Sequence, residues 1–187
     1  MEPITLLLLD PMPIVAWGVA NLLASKPWFK VVGVAGSISK GLEAVRHHHP
    51  RLIVTELRLS DGDAAGLLDR LQDLAADSRV AVLTASSDEA DVLRLLRAGA
   101  HGYLLKAAEP DNIIGDLRQV AQGETVIAGA AAMTALLSLT QPRGSAVPMT
   151  PREMEVLTLV AGGLSNRTPI RRGRGGSSSS AGVSRIA

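Results

Sequence analysis

Asp10, Glu56, Thr84 and Lys106 stand at corresponding places in this chain, each at or just past the end of a short aliphatic run. Tyr103 lies within the last of those runs, three residues before Lys106. Two acids, a hydroxyl and a lysine gathered on one edge of a sheet suit the binding or transfer of a phosphoryl group with a divalent cation. Any one of them alone says little. Their repetition at successive strand ends is what carries the chemistry. The segment "RLIVTELRLSDGD" (51–63) poses the sharpest question, because the acid that ends its buried run is a glutamate.

The elements that must position these residues are legible as alternation. Five runs, Ile4–Leu9, Lys30–Ala35, Leu52–Glu56, Val80–Thr84 and Gly102–Leu105, are almost continuously apolar, as strands buried on both faces are. Helical periodicity lies between them. Val15, Val19, Leu22 and Leu23 share a face in 13–25, and Ile113, Ile114, Leu117, Val120 and Ala121 share one in 110–121. Residues 86–98 open with Ser86 and Glu89 at capping-box spacing and stop at Gly99. Five strand–helix alternations predict an α/β fold, a five-stranded parallel doubly wound sheet with its site at the strand C-termini.

Composition narrows the class. The 187 residues are 47% hydrophobic and 20% charged but only 2% aromatic, so the core must be aliphatic. There is no cysteine, which excludes a disulfide framework and thiolate metal sites and fits a reducing, cytoplasmic compartment. The leucines at 6–9 resemble a signal h-region, but no basic stretch precedes them and Asp10 ends the run. No segment approaches the roughly 18 apolar residues of a membrane span. Charge is uneven: residues 151–187 carry six Arg and two Glu, a balance of +4, against −3 for residues 1–150. No nucleophile–base pair or cofactor fingerprint is present, and an enzyme is not expected. "GSISKGLEAV" has no phosphate-loop spacing. His47, His48 and His49 point in different directions on a helix and read as its solvated end before Pro50. Trp17 and Trp28 read as packing residues.

Beyond residue 122 the chain changes character. Residues 124–139 read as a sixth, Ala-rich helix and 140–148, "TQPRGSAVP", as a linker. Another helix then begins with Thr150 as N-cap, Pro151 at the first helical position, Glu153 closing a capping box, and Met149 and Met154 placed for a hydrophobic staple. Gly162 and Gly163 stop it. Residues 168–187 are low in complexity, rich in Ser, Gly and Arg, and expected to be disordered.

Several of these segments resemble one family. "LLLLDPMPIV", "VLTASSDEADVLRLLRAGAHGYLLK" and "MTPREMEVLTLVAGGLSNR" are similar to the receiver opening, its fourth-to-fifth-strand segment and the start of the helix-turn-helix domain in response regulators of the NarL/FixJ (LuxR-type) class. The resemblance implies a flavodoxin-like receiver over 1–122, a linker helix and linker over 123–148, the first helix of a LuxR-type domain over 149–167 and a basic tail over 168–187. It also implies a two-component regulator of transcription that binds DNA, answers to a histidine kinase or another regulatory protein, and forms a homodimer.

Three departures qualify that implication. The family's phosphoacceptor aspartate falls on Glu56. Pro11 occupies the second position of the acidic pair, where the family has a metal ligand, leaving Asp10 alone. After Arg167 the recognition helix is replaced by "GRGGSSSSAG", which reads as a frame shift or truncation. Proline offers no carboxylate to a cation that wants near-octahedral oxygen coordination, and glutamate carries its carboxylate about 1.5 Å further out than aspartate does. No cofactor is expected, and a Mg2+ would have only Asp10 and Glu56 to hold it. Phosphorylation is therefore not expected. Glu56 is left either as a fixed charge that mimics the phosphorylated state through Thr84 and Tyr103, or as a partner of Lys106 in a differently triggered scaffold. Arg167, Arg171, Arg172 and Arg174 could attract DNA through salt-sensitive contacts but could not read it. A receiver-only interaction and dimerisation module is the alternative.

Overall fold

The computed structural model describes residues 2–127. The elements run β1 (Ile4–Leu9), α1 (Pro13–Ala24), β2 (Phe29–Ala35), α2 (Ile38–His48), β3 (Leu52–Thr55), β4 (Arg58–Leu59), β5 (Gly62–Asp63), α3 (Ala64–Leu74), β6 (Arg79–Thr84), α4 (Glu89–Arg97), β7 (Gly102–Leu105), α5 (Pro110–Ala121) and β8 (Val126–Ile127). The linker, the LuxR-type helix and the basic tail expected from the sequence all lie outside the described residues.

Six strands form one sheet in the order β2-β1-β3-β6-β7-β8, with every pairing parallel. The chain moves from β1 out to β2, then returns across β1 to β3. That reversal opens a crevice at the C-terminal ends of β1 and β3, the switch point where open α/β sheets place their ligands. Strand burial explains the continuous apolar runs. Leu7, Leu9, Ile53 and Val82 face α2, α3 and α4, while Leu6, Leu8, Val54 and Leu83 face α1 and α5. Alternate residues thus serve two separate cores, and both must be apolar.

Three expectations are corrected. The chain over 124–127 is not helical: Val126 and Ile127 form β8, paired with Gly102 and Tyr103 of β7. A β-branched pair at a sheet edge satisfies its backbone through the ladder more readily than through a helix start. α4 begins at Glu89 with Asp88 as N-cap, its side chain accepting from the Ala90 amide, so the Ser86–Glu89 capping box does not form. The Ser86 hydroxyl instead accepts from the Asp88 amide and donates to Asp91. Finally, Trp17 is not packed: it is 67% exposed, whereas Trp28 is 40% exposed beneath the Arg118 guanidinium at 5.1 Å. His47, His48 and His49 are all exposed at the end of α2. No helix among the described residues is long and apolar enough to cross a membrane.

Candidate phosphoryl-type pocket

The sheet ladder itself fixes the pocket residues. The Asp10 amide donates to the Ala35 carbonyl at 2.9 Å, the Glu56 amide to Leu9 at 2.8 Å and the Lys106 amide to Thr84 at 2.8 Å. Each residue therefore leaves its strand with its backbone still bound to a neighbouring strand, and its side chain starts from a fixed point on the C-terminal edge. Hydrophobic strands thus hold polar side chains at set positions.

Those side chains converge. The Lys106 ammonium lies 2.5 Å from Asp10 Oδ2 and 2.6 Å from Glu56 Oε2. The remaining carboxylate oxygens are also occupied: Asp10 Oδ1 accepts from the Met12 amide at 2.8 Å, and Glu56 Oε1 from the Leu57 amide at 2.6 Å. Asp10 is buried, and Glu56 and Lys106 are largely so. Burial on its own would pull the lysine pKa down. The bonds from Asp10 and Glu56 outweigh it, so Lys106 is held above its ordinary value and stays charged.

Thr84 and Tyr103 stand beside this triad without joining it. Both are buried. The Thr84 hydroxyl accepts from the Ser86 amide at 3.2 Å, and the Tyr103 hydroxyl donates to the Ser86 carbonyl at 3.0 Å. Burial is the main cause that raises the tyrosine pKa. The Ser86 bond opposes it, and the charges of Asp91, Glu56 and Asp88 add to it. The two side chains thus hold one residue of the β6–α4 loop, Thr84 by its amide and Tyr103 by its carbonyl.

A divalent cation does not fit the donor set. A positive ammonium sits between the two acids, all four of their oxygens accept hydrogen bonds, and Pro11 adds no ligand. Among the described residues, no group of three or more His, Cys, Asp or Glu side chains is placed to hold a metal.

The segment after Glu56 is tied down by residues that motif reading passed over. Asp61 accepts from the Ile38 and Ser39 amides at the start of α2, at 2.6 and 3.0 Å. Asp63 caps α3 through the Gly66 amide at 3.0 Å and meets Arg94 of α4 at 2.6 Å. The Gly66 bond is the main reason that Asp63 is held below the usual carboxylate range, with Arg94 assisting against the cost of burial. An Asp just before the apolar run "AAGLL" was the available signal.

Comparison with known proteins agrees with this architecture. The family model of the response regulator receiver domain matches residues 6–118. The chain belongs to the response regulators, and within them to the NarL/LuxR type. It is 35% identical over 175 residues to the nitrate/nitrite response regulator protein NarL of Escherichia coli, covering 91% of this chain and 81% of that protein. It is 29% identical over 163 residues to the DNA-binding transcriptional activator DevR/DosR of Mycobacterium tuberculosis, covering 86% and 75% respectively. Among solved structures, the signal receiver domain of a NarL response regulator from Mycobacterium tuberculosis superposes with a TM-score of 0.64 at 26% identity, over 66% of this chain and all of that one. A LuxR-family response regulator from Aurantimonas shares the fold, with a TM-score of 0.70 at 21% identity, over 75% of this chain and all of that one.

Proposed function

We propose that the chain is a cytoplasmic response regulator acting in transcription regulation, with a receiver that works without aspartyl phosphorylation. The observation that carries this reading is the closed Asp10–Lys106–Glu56 triad. The lysine that would stabilise an incoming phosphoryl group is already held by two carboxylates, and one of those stands at the acceptor position. A phosphoryl donor would have to displace an ammonium that is hydrogen-bonded on both sides, without a cation to offset the added charge. Input then comes from a regulatory protein rather than from a kinase's phosphoryl group. The role in transcription is supported by relatives such as NarL and DevR/DosR, named as a response regulator and a transcriptional activator.

Of the two roles open to Glu56, the scaffold is the better supported. Its second oxygen turns back to the Leu57 amide, while the Thr84 hydroxyl is engaged by Ser86. A charge acting as a phosphoryl mimic should engage Thr84.

A second reading, a receiver-only interaction module, is favoured by one observation: "GRGGSSSSAG" stands where the family has its recognition helix. Two assays on the full chain separate these readings. Incubation with acetyl phosphate and Mg2+, followed by intact mass measurement, should give no phosphoryl adduct; a stoichiometric adduct overturns phosphorylation independence. Fluorescence anisotropy with mixed genomic DNA fragments at low and moderate salt tests output. Binding that survives moderate salt and prefers certain fragments supports a transcription regulator, and binding that vanishes with salt supports the interaction module.

A further inference from the structure

Asp61 is an exposed acid with both oxygens engaged. It stands at the tip of the β4–β5 hairpin, which joins the pocket residue Glu56 to α3. Two antiparallel pairs make a hairpin that is marginal by itself. Leu57 and Leu59 seat its base in the core shared by α2, α3 and α4. Side chains fasten its tip to the start of α2. The Ser60 hydroxyl donates to the Gly36 carbonyl at 3.0 Å. Asp61 Oδ1 accepts from the Ile38 amide at 2.6 Å, and Oδ2 accepts from the Ser39 amide at 3.0 Å and the Ser39 hydroxyl at 2.8 Å. These bonds, the Ser39 amide first, hold Asp61 below the usual carboxylate range and keep it charged. α2 already has Ser37 as its N-cap, so Asp61 is not needed to start the helix. What it adds is a tie between the hairpin and α2.

The bonding continues from the far strand of the hairpin. Asp63 gives Oδ1 to the Gly66 amide at the start of α3 and Oδ2 to Arg94 of α4. Arg94 also reaches Asp91 Oδ1 at 3.5 Å, and Asp91 Oδ2 accepts from the Ser86 hydroxyl at 3.3 Å. Ser86 is the residue that Thr84 and Tyr103 hold. A bonded series therefore runs from an exposed tip beside α2 to a buried tyrosine. It uses none of the bonds of Asp10, Glu56 or Lys106.

We propose that the β4–β5 hairpin is a strap that couples the first turn of α2 to the β6–α4 loop, so that release of Asp61 loosens Ser86. Asp63 and Asp91 each divide their two oxygens between two neighbours, so neither can follow one neighbour without straining its bond to the other. Bonded polar groups in a partly dry setting strengthen one another, and the loss of one is felt by the next. Exposure sets the direction. Water competes for the bonds of Asp61, and much less for those of Asp63 and Asp91, whose side chains are 25% and 17% exposed. The outer fastening is the one that opens first, and its opening travels inward. The strap deepens the function proposed above and rests on it for its purpose: it is an input route that needs no phosphoryl group. Whatever draws the first turn of α2 away from Asp61 acts on Ser86.

Amide hydrogen exchange of the full chain, followed by NMR, tests the coupling. Asp61→Ala should speed exchange at the Ser86 and Asp88 amides by about threefold or more, beyond the roughly twofold scatter of independent sites, with β1 unchanged. Arg94→Met should do the same. In the Arg94→Met background, Asp61→Ala should add nothing at these amides, because the series is already cut. Asp69→Ala removes an exposed carboxylate of α3 that lies off the series, and should leave both amides as they are. Circular dichroism checks α2, and Asp61→Asn, which keeps an acceptor for the Ile38 amide, is the milder variant to use if helix content falls. Exchange at Ser86 and Asp88 that ignores Asp61, or an equal acceleration with and without Arg94, overturns the proposal. A phosphoryl adduct in the acetyl phosphate assay removes the function proposed above and leaves the coupling standing. Absent coupling in a chain that takes up no phosphoryl group removes the strap alone.

Discussion

Glu56 and Lys106, fifty residues apart in sequence, meet at 2.6 Å across the C-terminal edge of the sheet, and Asp10 closes on the same ammonium from β1. The contact leaves the pocket's lysine already engaged by two carboxylates. Removing one partner and restoring the aspartate chemistry are different perturbations, and they give different expected outcomes.

Glu56→Asp by itself should remain unphosphorylated by acetyl phosphate and Mg2+, because Pro11 still supplies no ligand for the cation. Glu56→Asp combined with Pro11→Asp should acquire a Mg2+-dependent adduct, visible in intact mass spectra. Labelling of the single variant would show that position 56 alone sets the block.

Lys106→Met should destabilise the receiver by about 3 kcal/mol in urea unfolding, since it leaves two neighbouring carboxylates uncompensated. The pH dependence has a definite sign. Lys106 is raised in the folded state, so its contribution is fully present below its ordinary value of 10.5 and is lost as pH rises through the higher folded value. The gap between wild type and Lys106→Met attributable to the lysine should therefore persist through mildly alkaline pH and close only in stronger alkali. A gap already closed at pH 9 would contradict the bonding described.

Asp63→Ala removes the cap of α3 and the partner of Arg94, and should cost about 1–2 kcal/mol at neutral pH, most of it from the cap because the Arg94 side chain is 40% exposed. Asp63 is lowered in the folded state, so this contribution is present above its ordinary value of 3.8 and is lost as pH falls through the lower folded value. Thermal melts of wild type and variant should stay apart at pH values above 3.8 and draw together only in stronger acid. Parallel curves down to acid would mean that the carboxylate charge is irrelevant.

Tyr103→Phe leaves the Ser86 carbonyl without its phenolic donor and should cost about 1 kcal/mol. The more telling measurement is hydrogen exchange at Asp88, whose amide bonds to the Ser86 hydroxyl. Faster exchange there, with β6 unchanged, is the outcome that fits a clamp on the β6–α4 loop.

The parts of the structure that the sequence disclosed are those governed by burial on two faces. Ile4–Leu9 and Leu52–Thr55 are apolar at all but one position each, so they stood out, and the residues just beyond them marked the pocket edge. What stayed hidden depends on pairing rather than on composition. β8 is two residues inside an Ala-rich stretch, and only its ladder with β7 makes it a strand. The β4–β5 hairpin is likewise two short pairs, Arg58 with Asp63 and Leu59 with Gly62. The Lys106 contact with Glu56 was open as one of two alternatives. The amides of Met12 and Leu57 that fill the remaining oxygens could not be foreseen, since no side-chain pattern encodes them. Trp17 departs from its expected packing because hydrophobicity states a preference for cover and does not place a neighbour over the side chain.

β8 carries one further consequence. Its two residues lie in register with Gly102 and Tyr103, and Lys106 follows on that same strand only three positions beyond Tyr103. The segment leading to the C-terminal part of the chain is thus stitched to the strand that bears the pocket's lysine and its buried tyrosine. Among the described strands, β8 is bonded to β7 alone. The last described strand of the chain is thus fastened to the very strand from which the pocket's lysine departs.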